Sequence, residues 1–330
     1  MPAQPLLKIE NLVKHFHVRL GAFGERAATV HALDNIDLNI MEGETLSLVG
    51  ESGCGKSTTG FTILNLYKAT SGKVLYKGRD LATLTEKQMR PFRRDLQIVF
   101  QDPYSTLNPR MTIGEAIGEP ILFHKLCNRA ELKDRITTLL GDVGLPPRFA
   151  QRYPHELSGG QRQRVVIARA LACQPKFIVC DEAISALDVS IQAQIINLLL
   201  DLQEKYGLTY LFIAHDLAVV RHISTRVGVM YLGRLAELAS RDALFGNPLH
   251  PYTKALLSAV PDTDPELERS RNRQILQGDV PSPLNPPSGC RFHTRCPIAM
   301  DVCGKLVPEW KEAAPGHLVA CHAVGKGAHV

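Results

Sequence analysis

The chain of 330 residues has no uninterrupted stretch of about 20 apolar residues, the length a helix needs to cross a bilayer. No membrane crossing is therefore expected. Its opening, MPAQPLLKIENLV, lacks the basic start and long apolar core of a secretory signal, which points to the cytoplasm. It also lacks a dense basic block: 38 Lys and Arg against 33 Asp and Glu leave a mild net charge of +5, so nucleic acid is not the expected partner. No sustained heptads run between residues 58 and 157, which excludes a long coiled coil there. With 45% hydrophobic and 22% charged residues, the composition suits a soluble globular chain of one large domain or two smaller ones.

Against these absences stands GESGCGKST at 50–58, which fits G-x-x-x-x-G-K-[ST] with Gly50, Gly55, Lys56 and Ser57 at the fixed places. Glycines let the backbone fold round an anion with N–H groups pointing inward, and a helix starting near Lys56 adds the positive end of its dipole. Lys56 supplies a charge to the outer phosphates, and the Ser57 hydroxyl is a hard ligand suited to Mg²⁺. ETLSLVG (44–50) before the loop reads as a strand and FTILNLY (61–67) after it as a helix. That order is what a nucleotide phosphate site needs.

Apolar strands alternate with helices along the rest of the chain, implying a parallel sheet covered on both faces. Residues 6–50 alternate in strand fashion, with a glycine-bearing interruption near 21–24, and GKVLYKGRDL (72–81) reads as a hairpin arm. The pattern turns helical from Thr112 to about Leu140, again over 161–172, and over Val189–Tyr206. Gly50, Gln101, Asp181-Glu182 and His215 each close an apolar strand, and ligands of open α/β sheets bind at that edge. In the pair, Asp181 can hold Mg²⁺ and Glu182 can orient and deprotonate an attacking water. Gln101 and His215 become plausible sensors of the terminal phosphate only in company with the loop. LSGGQRQR (157–164) offers a second anion-binding helix start, with Ser158 as cap and Gly159-Gly160 allowing close approach.

Taken together, GESGCGKST, Gln101, LSGGQ, FIVCDE, SALD (185–188) and His215 resemble the ATP-binding cassette of ABC transporters. The resemblance implies an α/β P-loop NTPase fold: a parallel-sheet core, an antiparallel β subdomain and a helical subdomain. It implies a nucleotide-binding domain over 1–246, with the helical, signature-bearing part at about 102–170. ATP would be held by Gly50, Ser52, Gly53, Cys54, Gly55, Lys56, Ser57 and Thr58. Phe16 would stack on adenine, and Mg²⁺ would be held through Ser57, Gln101 and Asp181. Glu182 matches the catalytic base, Gln101 the Mg²⁺ and water contact, and His215 the switch histidine. Such cassettes work as sandwiches, so Ser158, Gly159, Gly160 and Gln161 would serve the partner's ATP. RMTIGEAIGEP (110–120) lies where the family receives the coupling helix of a membrane subunit. One departure is visible: Ala183-Ile184 stand where the family often has Pro-Thr or Pro-Val, which implies a softer turn. Hydrolysis is still expected because Glu182 and His215 remain.

HPYTKALLSAVP (250–261) and PSPLNPPSGCRFHTRCP (281–297) resemble the C-terminal extension of ATPases of dipeptide and oligopeptide importers, a group with nickel and glutathione relatives. SGGQRQR, with Gln before Arg, resembles the F-type subunit. The implied partners are a D-type ATPase, two transmembrane permease subunits and, indirectly, an extracytoplasmic peptide-binding protein, at the cytoplasmic face of the inner membrane. The extension (247–330) carries C-x5-C-x6-C-x17-C at Cys290, Cys296, Cys303 and Cys321, half of the eight cysteines. Four thiolates suit a structural Zn²⁺ or a [4Fe–4S] cluster. The loops are wider than zinc-ribbon pairs, Cys296 precedes Pro297, and the family is known to carry [4Fe–4S], so iron–sulfur is favoured and Zn²⁺ is the alternative. His293 and His322 are expected beside the site rather than in it, and Cys54 as a small filler. Competing functions are a cytosolic non-transport ABC ATPase and an iron–sulfur scaffold with a degenerate cassette.

Overall fold

The computed structural model describes residues 4–20, 26–185, 187–260 and 276–324. The interruption at 21–24, Ala186 of SALD and Pro261 lie outside the described residues. In chain order the elements are β1 (Leu7–Leu20), β2 (Arg26–Ile40), β3 (Thr45–Val49), α1 (Lys56–Ile63), β4 (Ser71–Tyr76), β5 (Arg79–Asp80), α2 (Glu86–Met89), α3 (Phe92–Asp95), β6 (Leu96–Val99), α4 (Pro103–Thr106), α5 (Ile113–Phe123) and α6 (Leu132–Asp142). Then follow α7 (Gly159–Leu171), β7 (Phe177–Asp181), α8 (Val189–Tyr206), β8 (Thr209–Ile213), α9 (Leu217–Ile223), β9 (Arg226–Tyr231), β10 (Arg234–Ser240), α10 (Arg241–Gly246), α11 (Pro251–Ser258), β11 (Lys311–Ala314) and β12 (His317–Val319). They fall into two compact units, one of Met1–Ile40, Leu46–Thr83 and Ala214–Val330, the other of Met41–Thr45 and Leu84–Ile213.

The first unit holds an antiparallel sheet in the order β2-β1-β4-β5. Leu7, Ile9, Leu12, Ile36, Leu38 and Ile40 alternate inward along its two long strands and are buried, the period-2 pattern of a half-buried strand. The β1–β2 register slips at Ile9/Leu12, Leu12/Lys14 and Lys14/His15. Such bulges re-aim the residues that follow, here His15 and Phe16. A second set of strands in this unit runs β11-β12-β10-β9-β3, with β3 parallel to β9 and the others antiparallel. The C-terminal segment therefore adds strands to a sheet of the cassette: Glu237 and Leu238 of β10 pair with Val319 and Leu318 of β12.

In the second unit β6, β7 and β8 pair in parallel. Every residue of β7 and β8 is buried, which explains their unbroken apolar sequences. Helix α8 spans the predicted Val189–Tyr206, buries Ile195, Ile196, Leu198, Leu199 and Leu202, and ends on Gly207 in the left-handed region. The helix predicted from Thr112 to about Leu140 is broken in the structure. α5 stops at Phe123, with Pro120 inside it, and α6 starts only at Leu132. Between them the Asn128 side chain accepts from the Glu131 amide and donates to its carboxylate. These local bonds compete with the helical ladder.

Candidate active site

The phosphate loop leaves β3, the strand of LSLV, and feeds α1, whose cap Gly55 sits at φ 105 and offers no side chain to the first-turn amides. A Cβ on Gly55 would stand 2.5 Å from the Ala32 carbonyl oxygen, and one on Gly233, in the β9–β10 turn, 2.7 Å from the same atom. Only glycine tolerates both demands at position 55. Inside the loop the Lys56 ammonium is buried, donating to the Gly50 carbonyl at 2.8 Å and the Glu51 carbonyl at 3.2 Å. Cys54 packs beneath it. Burial pushes the Cys54 thiol pKa up despite nearby Lys56, as fits a small apolar filler.

The loop is held from behind by its own unit. The Gly233 amide donates to the Cys54 carbonyl at 2.8 Å, and the Glu51 amide donates to the Tyr252 hydroxyl at 2.9 Å. Arg295 grips the Glu51 carboxylate with both arms, Nη1 to Oε2 at 2.7 Å and Nη2 to Oε1 at 3.1 Å. Phe16, half-buried on β1, meets Tyr67 edge-on at 5.3 Å, and Tyr67 meets Phe61 of α1 in the same way. The adjacent His15 faces Asp34, with Nε2 at 2.5 Å from Oδ1. Asp34 also pairs with His31 and with Arg291. Burial alone would raise the Asp34 pKa, but the His15 hydrogen bond and the Arg291 charge outweigh it, and the carboxyl sits below its ordinary value. His215 follows β8 and is exposed, beside Asp216, which caps α9.

The second unit carries the remaining predicted groups. Asp181 ends β7 and is buried. Glu182 follows at φ 46, a conformation that costs a non-glycine residue about 1–3 kcal/mol and clusters at functional positions. Its amide donates to the Ile213 carbonyl at 3.0 Å, and its carbonyl accepts from the Ser185 amide at 3.1 Å and hydroxyl at 3.0 Å. With Ala183 and Ile184 both buried, the turn expected to be soft without proline is bonded and packed. Gln101 is exposed after β6, next to Asp102, which caps α4.

Ser158 caps α7 as predicted, in a reciprocal box with Gln161, and the helix begins at Gly159. Gly160 has a packing reason besides anion approach, since a Cβ there would lie 2.6 Å from Ile191 Cγ2 of α8. Phe100, Glu119, Pro120, Phe123 and Arg169 line a groove at the end of α5.

The C-terminal cysteines converge. Cys290, Cys296, Cys303 and Cys321 line one small cavity with Phe292, Ile298 and Met300. All four are free thiols. Burial pushes Cys290 up to about 11 and raises Cys296 and Cys321, and the nearby Cys303 adds to the effect on all three. His293 Nδ1 lies 2.8 Å from the Cys290 carbonyl, and His322 Nε2 2.9 Å from the Leu306 carbonyl. His250 is buried, caps α11 by accepting from the Tyr252 amide at 3.0 Å, and has its pKa lowered to about 4 by burial. Glu51, Tyr252, Arg291 and Arg295 were not singled out by the sequence. The one readable signal was HPYT itself, a polar residue before a proline-led helix start.

A glycine loop of this build between strand and helix, an acid pair ending a buried parallel strand, and a serine-capped Gly-Gly helix define a nucleotide-hydrolysing P-loop cassette. Comparison with known proteins agrees. Residues 33–185 match the family described as ABC transporter, and residues 236–303 match the oligopeptide/dipeptide transporter C-terminal region. The chain is 53% identical to the oligopeptide transport ATP-binding protein AppF of Bacillus subtilis over 97% of both chains. It is 54% identical to the oligopeptide transport ATP-binding protein OppF of Salmonella typhimurium, over 96% of this chain and 95% of that one. Among solved structures, the dimeric ATP-binding cassette MJ0796, in a post-hydrolysis state with ADP and Pi, superposes with a TM-score of 0.62 at 34% identity, covering 71% of this chain and 98% of that one. The chain thus belongs to the ABC transporter family, in its oligopeptide/dipeptide branch, and is an ATPase subunit of that class. Among the described residues no helix is long and apolar enough to cross a membrane.

Proposed function

We propose that this chain is the F-type ATPase of a dipeptide or oligopeptide importer. It would sit at the cytoplasmic face of the membrane, paired with a D-type cassette on two permease subunits that receive solute from a peptide-binding protein. The observation that carries this reading is the Lys56 ammonium, buried in the glycine loop and bonded to the Gly50 carbonyl at 2.8 Å. Its bonds to carbonyls are ones a triphosphate oxygen can replace, and the α1 amides add a positive field. Phe16 would stack on adenine.

Ser57, Gln101 and Asp181 offer the hard oxygen donors that Mg²⁺ takes. Mg²⁺ supplies charge neutralisation on the phosphates. Glu182 accepts the proton of a water whose oxygen attacks the γ-phosphorus. The bond to the β–γ bridging oxygen breaks, ADP leaves, and the proton passes to phosphate. His215 hydrogen-bonds the γ-phosphate. Ser158 accepts the Gln161 amide within its own chain, so its O–H remains a donor for ATP on the partner cassette, beside the amides of Gly159, Gly160 and Gln161. The groove at the end of α5, with exposed Phe123 and Phe100, fits a permease coupling helix.

The four thiols suit a metal group in their chemistry and placement: they line one cavity, and thiolates are the donors that both Zn²⁺ and iron–sulfur clusters take. Cys290, Cys296, Cys303 and Cys321 would hold [4Fe–4S], with Zn²⁺ as the alternative, and its chemistry there is to crosslink the extension.

The test is Lys56→Ala, which is expected to abolish ATP binding and solute uptake together. Unchanged affinity and uptake would remove the reading. Pull-down of the intact chain should bring a second cassette and two membrane proteins. Recovery alone or on ribosomes favours a cytosolic ATPase, and a nickel- or glutathione-binding protein in the complex changes the cargo.

A further inference from the structure

We propose that Arg295 is a positioning residue for nucleotide: it neutralises and holds Glu51, so the cysteine-bearing segment sets the affinity of the phosphate loop. The inference rests on ATP occupying that loop. Glu51 is its second residue, and three restraints meet there. The amide is fixed by Tyr252, the carbonyl receives Lys56, and the carboxylate is clasped by Arg295. Moving Glu51 therefore moves an acceptor that fixes the lysine meant for the phosphates.

Arg295 is itself firmly set. Its side chain is only 7% exposed against 27% for Glu51, and its Nη1 also donates to the Tyr231 hydroxyl at 3.4 Å. Its amide donates to the Phe292 carbonyl at 3.0 Å. The Phe292 ring packs on Tyr231 at 5.2 Å and on Tyr252 at 5.3 Å. The other end of the segment makes an independent contact. Arg291 bonds Asp34 and the Leu232 carbonyl, next to Gly233, whose amide holds Cys54.

A two-armed guanidinium fixes both the position and the charge of a carboxylate. Without it, Glu51 presents an unpaired negative charge beside a polyphosphate and loses its lateral restraint. Arg295 does not touch the reacting atoms, so its signature lies in affinity and in coupling to Glu51.

The experiment measures equilibrium binding of MgATP, and the KM and kcat of hydrolysis, on the full chain. Arg295→Gln is expected to weaken binding about tenfold and raise KM more than it lowers kcat, the scale of one charge-assisted contact. Arg295→Gln with Glu51→Gln should recover most of that loss, because no unpaired carboxylate is then left beside the phosphates. Arg295→Lys keeps the charge and stem without the fork. It should lose about threefold and carries the test if Arg295→Gln does not fold. Affinity of Arg295→Gln and Arg295→Lys within the scatter of the parent overturns the proposal, as does a double variant no better than Arg295→Gln. Lys56→Ala separates the two levels: if it binds ATP normally, the placement of ATP on this loop is what has failed.

Discussion

The Tyr252 hydroxyl accepts the amide hydrogen of Glu51 at 2.9 Å, joining the HPYT segment to the phosphate loop across 201 positions of sequence. Tyr252 is fully buried, edge-on to Tyr231. Tyr252→Phe keeps the ring and deletes only the acceptor. Loss of this part-buried bond costs about 0.5–1.5 kcal/mol, so the urea midpoint should fall and MgATP affinity should drop with it. A midpoint equal to the parent's would mean that the bond contributes nothing.

Glu182 stands at the junction of a buried strand and a bonded turn, in a backbone conformation few glutamates adopt. Glu182→Gln preserves shape and removes the carboxylate proposed as the proton acceptor. Turnover should fall by about a hundredfold to ten-thousandfold, while MgATP binding persists. Steady-state phosphate release and equilibrium binding read the two quantities. Undiminished turnover would assign the base elsewhere and leave Glu182 a turn residue.

His250 gives a pH signature of stability. Its folded pKa is near 4 against an ordinary 6.5 because burial disfavours the imidazolium. Between those values the unfolded chain binds a proton that the folded chain does not, so unfolding is favoured as pH falls. The stabilising contribution is complete above about pH 6.5, shrinks by about 2 kcal/mol by pH 5, and is constant below the folded value. His250→Asn retains a side-chain cap but does not titrate there. Urea unfolding at pH 7.5 and pH 5 should show the parent losing more stability than the variant, and equal losses would contradict the assignment.

Protein purified without oxygen should be brown and contain iron, and Cys303→Ser should lose both colour and iron and melt earlier. Stoichiometric zinc in colourless protein would select the alternative metal. Absence of both would return the four thiols to ordinary packing.

The elements that deliver chemistry were readable because their cause is local. KFIVCDE is apolar up to the residue where the strand ends, and β7 stops at Asp181. Ser158 is read as a cap with the helix starting near Gly160 or Gln161, and α7 starts slightly earlier, at Gly159. The break between α5 and α6 was missed because helical periodicity continued past Pro120 while Asn128 and Glu131 were making a local turn. The addition of β12 to β10 was missed because His317–Val319 is too short to carry a period. Arg295 and Glu51 lie 244 positions apart, and no spacing rule links a C-terminal arginine to a glycine loop. Gly160 was read for one reason and has two, since contact with Ile191 depends on how α7 meets α8.

The Ala32 carbonyl oxygen lies against both Gly55 and Gly233. A peptide oxygen is not encoded by any codon, so no second-site change of side chain can make room for a methyl at either position. Variants there can be rescued only by re-routing strand β2, the strand that also carries Asp34. Anyone transplanting this loop into another scaffold must move β2 and the β9–β10 turn as one block, because the nine residues of the motif alone do not carry their own mould.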